Sequence, residues 1–525
     1  HAVLASVVGK SEADVISSLD RLIRAGLLFR QGAPPHATYL FKHALVRDAA
    51  YGTLLREPRR ELHARIAKAL NEKFLLIRDS QPEILAHHYS EAGLTDAAIE
   101  WWTKAGERAI ASCAYDEASA HLEKAIVLAE RCSDNPAQRL LRLQLQTMHG
   151  NALLHARGQT ATDTAASFTR ARELATEVED LTERASAYYG VWGVAYVRAD
   201  LTLMREVAET FLGDATRWPD SPESGFAYRL VASTRWFEGN YVDSRIHFER
   251  AVAVYDGARE SNRMSRFSYD PGVVIKSNYA LTLWPLGDVG LATHSVERAL
   301  SLAVQSGHIP TIAVAHYYLC LLEAIRRNPD QAEPHAEAIL ELGRKHGLPR
   351  FLAFGEFFVG WSRWRAGNRD GEARMREGKA MIRGLKFHLY EPLVSAVLAE
   401  AEAEAGHLEE GLATLDAQLE ENAVTGQRWF DAEVQRVRGE LLLRREPTDV
   451  EMAEAAFTRA VKIAQHQQTR TFELRAALSL ARLYYSTDRP ADAHAMLASA
   501  LDGFSPTLEL PESAEAQSLL TAPAP

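Results

Sequence analysis

Apolar residues recur at helical spacing along almost the whole chain, with one short interruption near the start. Val15, Ile16, Leu19, Leu22 and Ile23 lie on one helical face. Ser11 precedes them and Asp14 stands three residues on, the spacing of a capping box, and Gly26 follows as the stop. Two short apolar runs, Leu27-Leu28-Phe29 and Tyr39-Leu40-Phe41, then flank the turn-rich QGAPPHAT, which predicts a two-stranded hairpin. Helical spacing resumes from His43 with Leu45, Val46, Ala49, Ala50 and Tyr51, and again after Pro58 in RRELHARIAKALNEKF. Helix, hairpin, helix is the order of a winged helix.

From about residue 82 the composition shifts to Ala, Leu and Glu, and one pattern repeats: small, large four residues later, small three after that. It occurs at Ala118-Leu122-Ala125, Thr164-Phe168-Ala171, Ser244-Phe248-Ala251, Ala292-Val296-Ala299, Ala453-Phe457-Ala460 and Ala493-Leu497-Ala500, with a degraded copy at Gly411-Leu415-Gln418. The copies share a phase of roughly 40 residues. Positions i, i+4 and i+7 form one stripe, where small residues admit a neighbouring helix and the large one fills the gap. Each copy reads as the second helix of a pair. The first helices carry bulky residues: Trp101 and Trp102; Tyr188, Tyr189 and Trp192; Tyr228 and Trp236; Tyr279 and Trp284; Tyr317 and Tyr318; Phe354, Phe358 and Trp361. One pair cannot bury its apolar face alone, so the pairs must stack. The expectation is an all-α chain: a small winged-helix domain over 1–78 and an α-α superhelical solenoid, like tetratricopeptide repeats with longer units, over 79–525.

Charge sharpens that division. Of the net −11, residues 1–75 contribute +5 and the remainder −16. With 525 residues the chain exceeds what one core supports. Cys113, Cys132 and Cys320 lie far apart, which suggests neither a disulfide framework nor a zinc site and fits a reducing, cytoplasmic setting. No apolar run is long enough to span a membrane. The chain begins with His1 and lacks the basic start of a signal peptide; it reads as a fragment of something longer.

YLFKHALVRDAAYGTLLREPRRELHARIAKALN, followed by PEILAHHYSEAGLTDAAIEWWTKAGERAIASCAYDEASAHLEKAI, resembles the C-terminal half of a bacterial family of large signalling proteins. SYDPGVVIKSNYALTLWPLGDVGLA and TRTFELRAALSLARLYYSTDRPADAHAML extend the resemblance over essentially the whole chain. That family places a class III adenylate/guanylate cyclase first, then a STAND-type (AAA-like) ATPase, a winged helix and tetratricopeptide repeats. The resemblance implies that catalysis, ATP/ADP and Mg belong to upstream domains outside this chain. It also implies that His43 contacts the phosphate of the bound nucleotide in the intact protein.

The candidate chemistry is sparse. Gly9-Lys10-Ser11 is a piece of a phosphate loop, but Leu4 stands where the first glycine is required. His87 and His88 are adjacent, so on a helix they point about 100° apart and do not share one ion; packing against the first repeat is expected. No catalytic triad and no metal site is legible, and no cofactor is expected in this chain. Tyr269-Asp270-Pro271-Gly272 breaks the helical pattern with Arg263, Arg266 and Lys276 around it. A ligand groove on the solenoid would take Tyr189, Trp192, Tyr228, Trp236, Tyr269, Asp270, Lys276, Tyr279 and Tyr317, set against the plainer expectation that aromatics at helical spacing are core. The alternating run EAEAEAGHLEEG reads as a solvated face.

Two function classes follow. In one, the repeats bind a protein or small ligand and control the upstream ATPase and cyclase. In the other, the chain ends an ATPase-type transcription regulator whose winged helix touches DNA. The second is disfavoured, because VISSLDRLIRAGLL lacks the polar row of a base-reading helix. An enzyme in its own right has no motif to support it.

Overall fold

The computed structural model describes residues 1–112, 114–158, 161–219, 221–255, 269–368, 370–447, 450–502, 504 and 510–521. Cys113, Arg263 and Arg266 lie outside the described residues. The contacts divide the chain into two compact units, His1–Gly190 and Val191–Pro525.

The first unit opens with α1 (Ala2–Val8) and α2 (Glu12–Arg24), then β1 (Leu28–Gln31) and β2 (Thr38–Phe41). Ser11 caps α2, its hydroxyl oxygen accepting from the Asp14 backbone at 3.2 Å. Gly9 ends α1 in the left-handed region, so Gly9-Lys10-Ser11 is a helix stop followed by a cap. The strands pair antiparallel, with Leu28 opposite Phe41 and Gln31 opposite Thr38. Next come α3 (Ala44–Gly52), α4 (Arg56–Lys73), α5 (Leu75–Ser80) and α6 (Pro82–Ala92). α4 begins two residues ahead of Pro58, which is tolerated in a first turn because its missing N–H has no helical acceptor there. Leu70 of α4 shares one core with Leu85 and Ala86 of α6 and with Trp101 and Trp102 further on, so residues 1–78 run into the first repeats through continuous packing. α7 (Thr95–Ala111), α8 (Tyr115–Ala129), α9 (Pro136–Arg157) and α10 (Thr162–Ala175) complete this unit up to Gly190 within α11 (Leu181–Arg198).

The second unit takes the rest of α11, then α12 (Leu201–Ala215), α13 (Pro222–Phe237), α14 (Tyr241–Val254), α15 (Pro271–Leu286), α16 (Val289–Ser306), α17 (Ile309–Arg326) and α18 (Pro329–His346). It continues with α19 (Pro349–Arg365), α20 (Gly371–Gly384), α21 (Glu391–Glu404), α22 (Leu408–Thr425), α23 (Asp431–Arg445), α24 (Val450–Gln467), α25 (Arg470–Ser486), α26 (Pro490–Leu501) and α27 (Pro511–Thr521).

The small-large-small stripes fall on second helices, and every member of the six full copies is buried. In three of the copies the large residue, Leu122, Phe168 or Phe457, faces a glycine on a neighbouring first helix. A Cβ on Gly106 would sit 2.7 Å from Leu122, and one on Gly439 would sit 2.5 Å from Phe457. Gly371-Met375-Gly378 on α20 is a further full copy, all three members buried, that sequence reading passed over. Its glycines are contact points: a Cβ on Gly378 would lie 2.6 Å from the Phe357 backbone nitrogen.

First helices differ in kind from second ones. On α15 every residue from Pro271 to Pro285 except Lys276 is buried, the mark of a helix enclosed on all sides. α15 packs on α25, and α17 on α21, as well as on its sequence neighbours. First helices far apart in sequence therefore meet: the Thr471 hydroxyl of α25 donates to the Pro285 carbonyl of α15 at 3.4 Å, and at the start of α14 the Tyr241 hydroxyl donates to the Trp429 carbonyl, just ahead of α23, at 2.5 Å.

Candidate functional site

His43 caps α3 through an extended backbone, and its ring makes no capping hydrogen bond. α3 has no buried residue. Leu45 is 82% exposed, and Leu55 and Leu76 are 77% and 88% exposed. Eleven of the twenty exposed large hydrophobics among the described residues fall in residues 1–78, so this short stretch carries more than half of the residues of that kind that are described. From the same helix a polar line runs into the repeats. The Tyr51 hydroxyl lies 2.9 Å from His63 Nε2 on α4, and His63 Nδ1 lies 2.8 Å from His88 Nδ1 on α6. Burial, with His63 and His87 nearby, lowers the His88 pKa to about 4. The pair therefore shares a proton as neutral rings near neutral pH. His88 thus meets α4, while Ala86 and Tyr89 beside it pack into the core that holds Trp101 and Trp102.

The second unit places the aromatic positions. Trp192 and Trp236 are buried; the Trp192 Nε1 donates to the Thr234 hydroxyl at 3.1 Å, and Trp236 stacks on Trp429 with centroids 4.3 Å apart. Tyr279 is buried and donates to Glu249 at 3.2 Å; burial and then Glu249 push it up to about 12. Tyr228 is half-buried against His247. Asp270 is spent locally, accepting from Gly272 and Val273 and capping α15, while Lys276 stands over the Tyr255 ring. Tyr269 and Tyr317 converge on Arg350, which donates to the Tyr269 hydroxyl at 2.8 Å and faces both rings. Tyr189 lies half-buried in the first unit. Of these positions Trp236 and Tyr317 meet residues of distant pairs, Trp236 against Trp429 and Tyr390 and Tyr317 against Tyr390, while Trp192 and Tyr279 pack against elements nearby in sequence.

What the unit holds instead is charge. Arg327 makes a two-pronged bond to Glu400, at 2.8 and 3.0 Å. Arg436 donates to Glu433 at 2.9 Å and Glu440 at 2.6 Å, and Ser479 donates to Glu440 at 3.1 Å. Arg475 donates to Glu512 and to the Ile325 carbonyl, each at 2.6 Å. Burial alone would raise the Glu433 carboxyl, but Arg436 and Arg475 outweigh it and hold it below the ordinary range. Arg327, Arg436, Arg475 and Arg482 face a cavity of about 330 Å³. Sequence reading missed this cluster. Its partners stand up to 150 residues apart, and Glu400 and Glu402 sit in the run expected to be a solvated face. That expectation fails for these two, which are buried and paired with Arg327 and Arg376; it holds for Glu404, Glu409 and Glu410.

A second cluster joins His388, Glu391 and Glu421, whose ligand-type atoms lie within 4.8 Å of one another. Arg383 already pairs with the fully buried Glu391 side chain at 2.9 Å, so cationic charge is supplied from within. The bond to Glu391 raises the His388 pKa above 6.5. Stabilisation from His388 is therefore complete below pH 6.5 and disappears as pH rises through the raised value. His388→Asn is expected to cost up to about 1 kcal/mol at pH 5.5 and nothing at pH 9, read from urea unfolding at both pH values.

Among the described residues no helix is long and apolar enough to cross a membrane. Paired-helix repeats with an N-terminal two-stranded hairpin define the class: an α-helical repeat scaffold. No family model matches the chain. A curated relative, an uncharacterized protein of Rhizobium meliloti (strain 1021), is 23% identical over 485 residues, 90% of this chain and 46% of that protein. The chain thus spans under half the length of that relative. Similar solved structures include the APC/C hetero-tetramer Cut9–Hcn1 (12% identity, 99% of this chain and 97% of that one, TM-score 0.46). A Rap protein complexed with Competence and Sporulation Factor also matches (12%, 80% and 99%, TM-score 0.39). So does a STAND protein with a tetratricopeptide repeat sensor from Pyrococcus horikoshii (15%, 76% and 62%, TM-score 0.36).

Proposed function

We propose that this chain is the sensor and regulatory part of a longer signalling protein. Its repeats bind a protein or small ligand, and residues 1–78, acting as a winged helix, pass that state to a STAND ATPase and a class III nucleotide cyclase that use ATP and Mg. The observation that carries this reading is α3, an apolar helix with nothing buried and Leu45 largely in water. A soluble surface of this kind marks an interaction site. His43, the N-cap of this helix, is the residue read here as the donor to a phosphate, and Tyr51 on its last turn reaches the repeats through His63 and His88. A ligand on the repeats acts only by preferring one arrangement of this line over another.

The DNA-contact alternative draws less support. Arg59 lies over the Tyr51 ring, and Arg60 donates to the Ala92 carbonyl at 3.3 Å, so two arginines of the basic stretch serve the junction itself.

The test uses the longer natural protein. Leu45→Asp is expected to uncouple ligand from output, changing basal ATP turnover and cyclic-nucleotide formation at least fivefold, while His43→Ala speeds nucleotide release. A longer protein with neither activity sinks the reading.

A further inference from the structure

α27 seats two carboxylates against the arginine-lined cavity. Glu512 and Glu515 are three residues apart, hence neighbours on one helical face. Glu512 meets Arg475, whose side chain is 4% exposed, and Glu515 meets Arg482. Little else holds the helix: of its eleven residues only Ser513 and Ala516 are buried, and a helix of this length is marginal alone. The fit is also imperfect. One Glu512 oxygen is buried without a hydrogen-bond partner, and about 330 Å³ stays open between α27 and the arginines. Removing α27 would leave Arg475 only backbone carbonyls and Glu433 at 3.6 Å, and Arg482 would lose its carboxylate.

We propose that this cavity is a binding site for an acidic helical segment of a partner protein, carrying carboxylates at i and i+3, and that α27 occupies it as a built-in competitor. Arginine suits the role because its planar fork grips a carboxylate with two donors. The site gives the scaffold role proposed above a ligand chemistry and rests on that role. Its failure is separable, since the α3 surface lies elsewhere in the chain and is read by nucleotide turnover.

The experiment uses the full chain and a fluorescein-labelled peptide, LPESAEAQSLLT, read by fluorescence anisotropy. Wild type is expected to bind weakly. Glu512→Gln/Glu515→Gln is expected to bind at least tenfold tighter, because its own helix competes less. Binding should weaken with added salt, vanish for a peptide with Gln at both Glu positions, and vanish when Arg482→Glu is added to the double variant. Arg482 is half exposed, so that change leaves the fold in place, with thermal unfolding as the check. Equal affinity of wild type and the double variant, binding that survives Arg482→Glu, or a wild-type dimer formed by exchange of α27 overturns the proposal.

Discussion

Glu433→Gln is expected to destabilise the second unit by about 3–5 kcal/mol at neutral pH. The carboxylate is 2% exposed and sits between two arginines that are themselves 4% exposed. Arg436 spans it with two bonds, at 2.9 and 3.1 Å, and Arg475 stands 3.6 Å away. A neutral amide removes the carboxylate that Arg436 spans and that Arg475 faces, leaving each buried guanidinium with one remaining hydrogen-bonded carboxylate, Glu440 and Glu512 respectively, at 2.6 Å, so the penalty is that of a buried charge pair broken on one side. Replacing Glu433 and Arg436 together by Leu and Met should not recover this loss, since Glu440 would then keep only the Ser479 hydroxyl as its hydrogen-bond partner. The pH dependence has a definite sign. Glu433 titrates below 4.5 in the fold. Its contribution is present above about pH 4.5 and fades as pH falls through the lowered value, so wild type and variant should converge in acid. Urea unfolding at pH 7 and pH 3 measures both effects, and hydrogen exchange on α23 and α25 localises them. A loss under 1 kcal/mol at pH 7 would show that the cluster is solvated.

Phe168→Ala is the second large effect, about 3–5 kcal/mol, and it falls in the first unit. The ring is 1% exposed, and a Cβ on Gly150 or Gly190 would run into it. Two glycines facing one ring leave no side chain able to move into the vacated space, so the cavity persists and the cost lies at the upper end. The converse change, Gly190→Ala, should cost about 1–3 kcal/mol by overpacking. In the background of Phe168→Ala that penalty should fall to near zero, because the methyl group enters the hole. Thermal unfolding of the four proteins closes this cycle. Additive losses would mean that ring and glycine are not in contact.

Much of this architecture is written locally. The cap at Ser11, the stop near Gly26 and the stripe on each second helix depend on residues within seven positions of one another, and the hairpin on residues no more than 13 apart, so local backbone geometry reads them directly. Gly371-Met375-Gly378 escaped, and only the facing backbone of Phe357 shows that close approach is the purpose of its glycines. The aromatic first helices were legible as apolar, but the element that would cover their far side was not.

That last point separates the two sources of information. By itself the sequence determined that the chain is a stack of paired helices behind a hairpin, because helical period and turn chemistry are short-range. Only the tertiary structure decided that distant first helices close on one another, burying Trp236 and Tyr317. The same closure puts Arg327 beside Glu400 and Arg475 beside the Ile325 carbonyl. Such meetings depend on the accumulated turn of several repeats, a long-range quantity that no window of neighbouring residues contains.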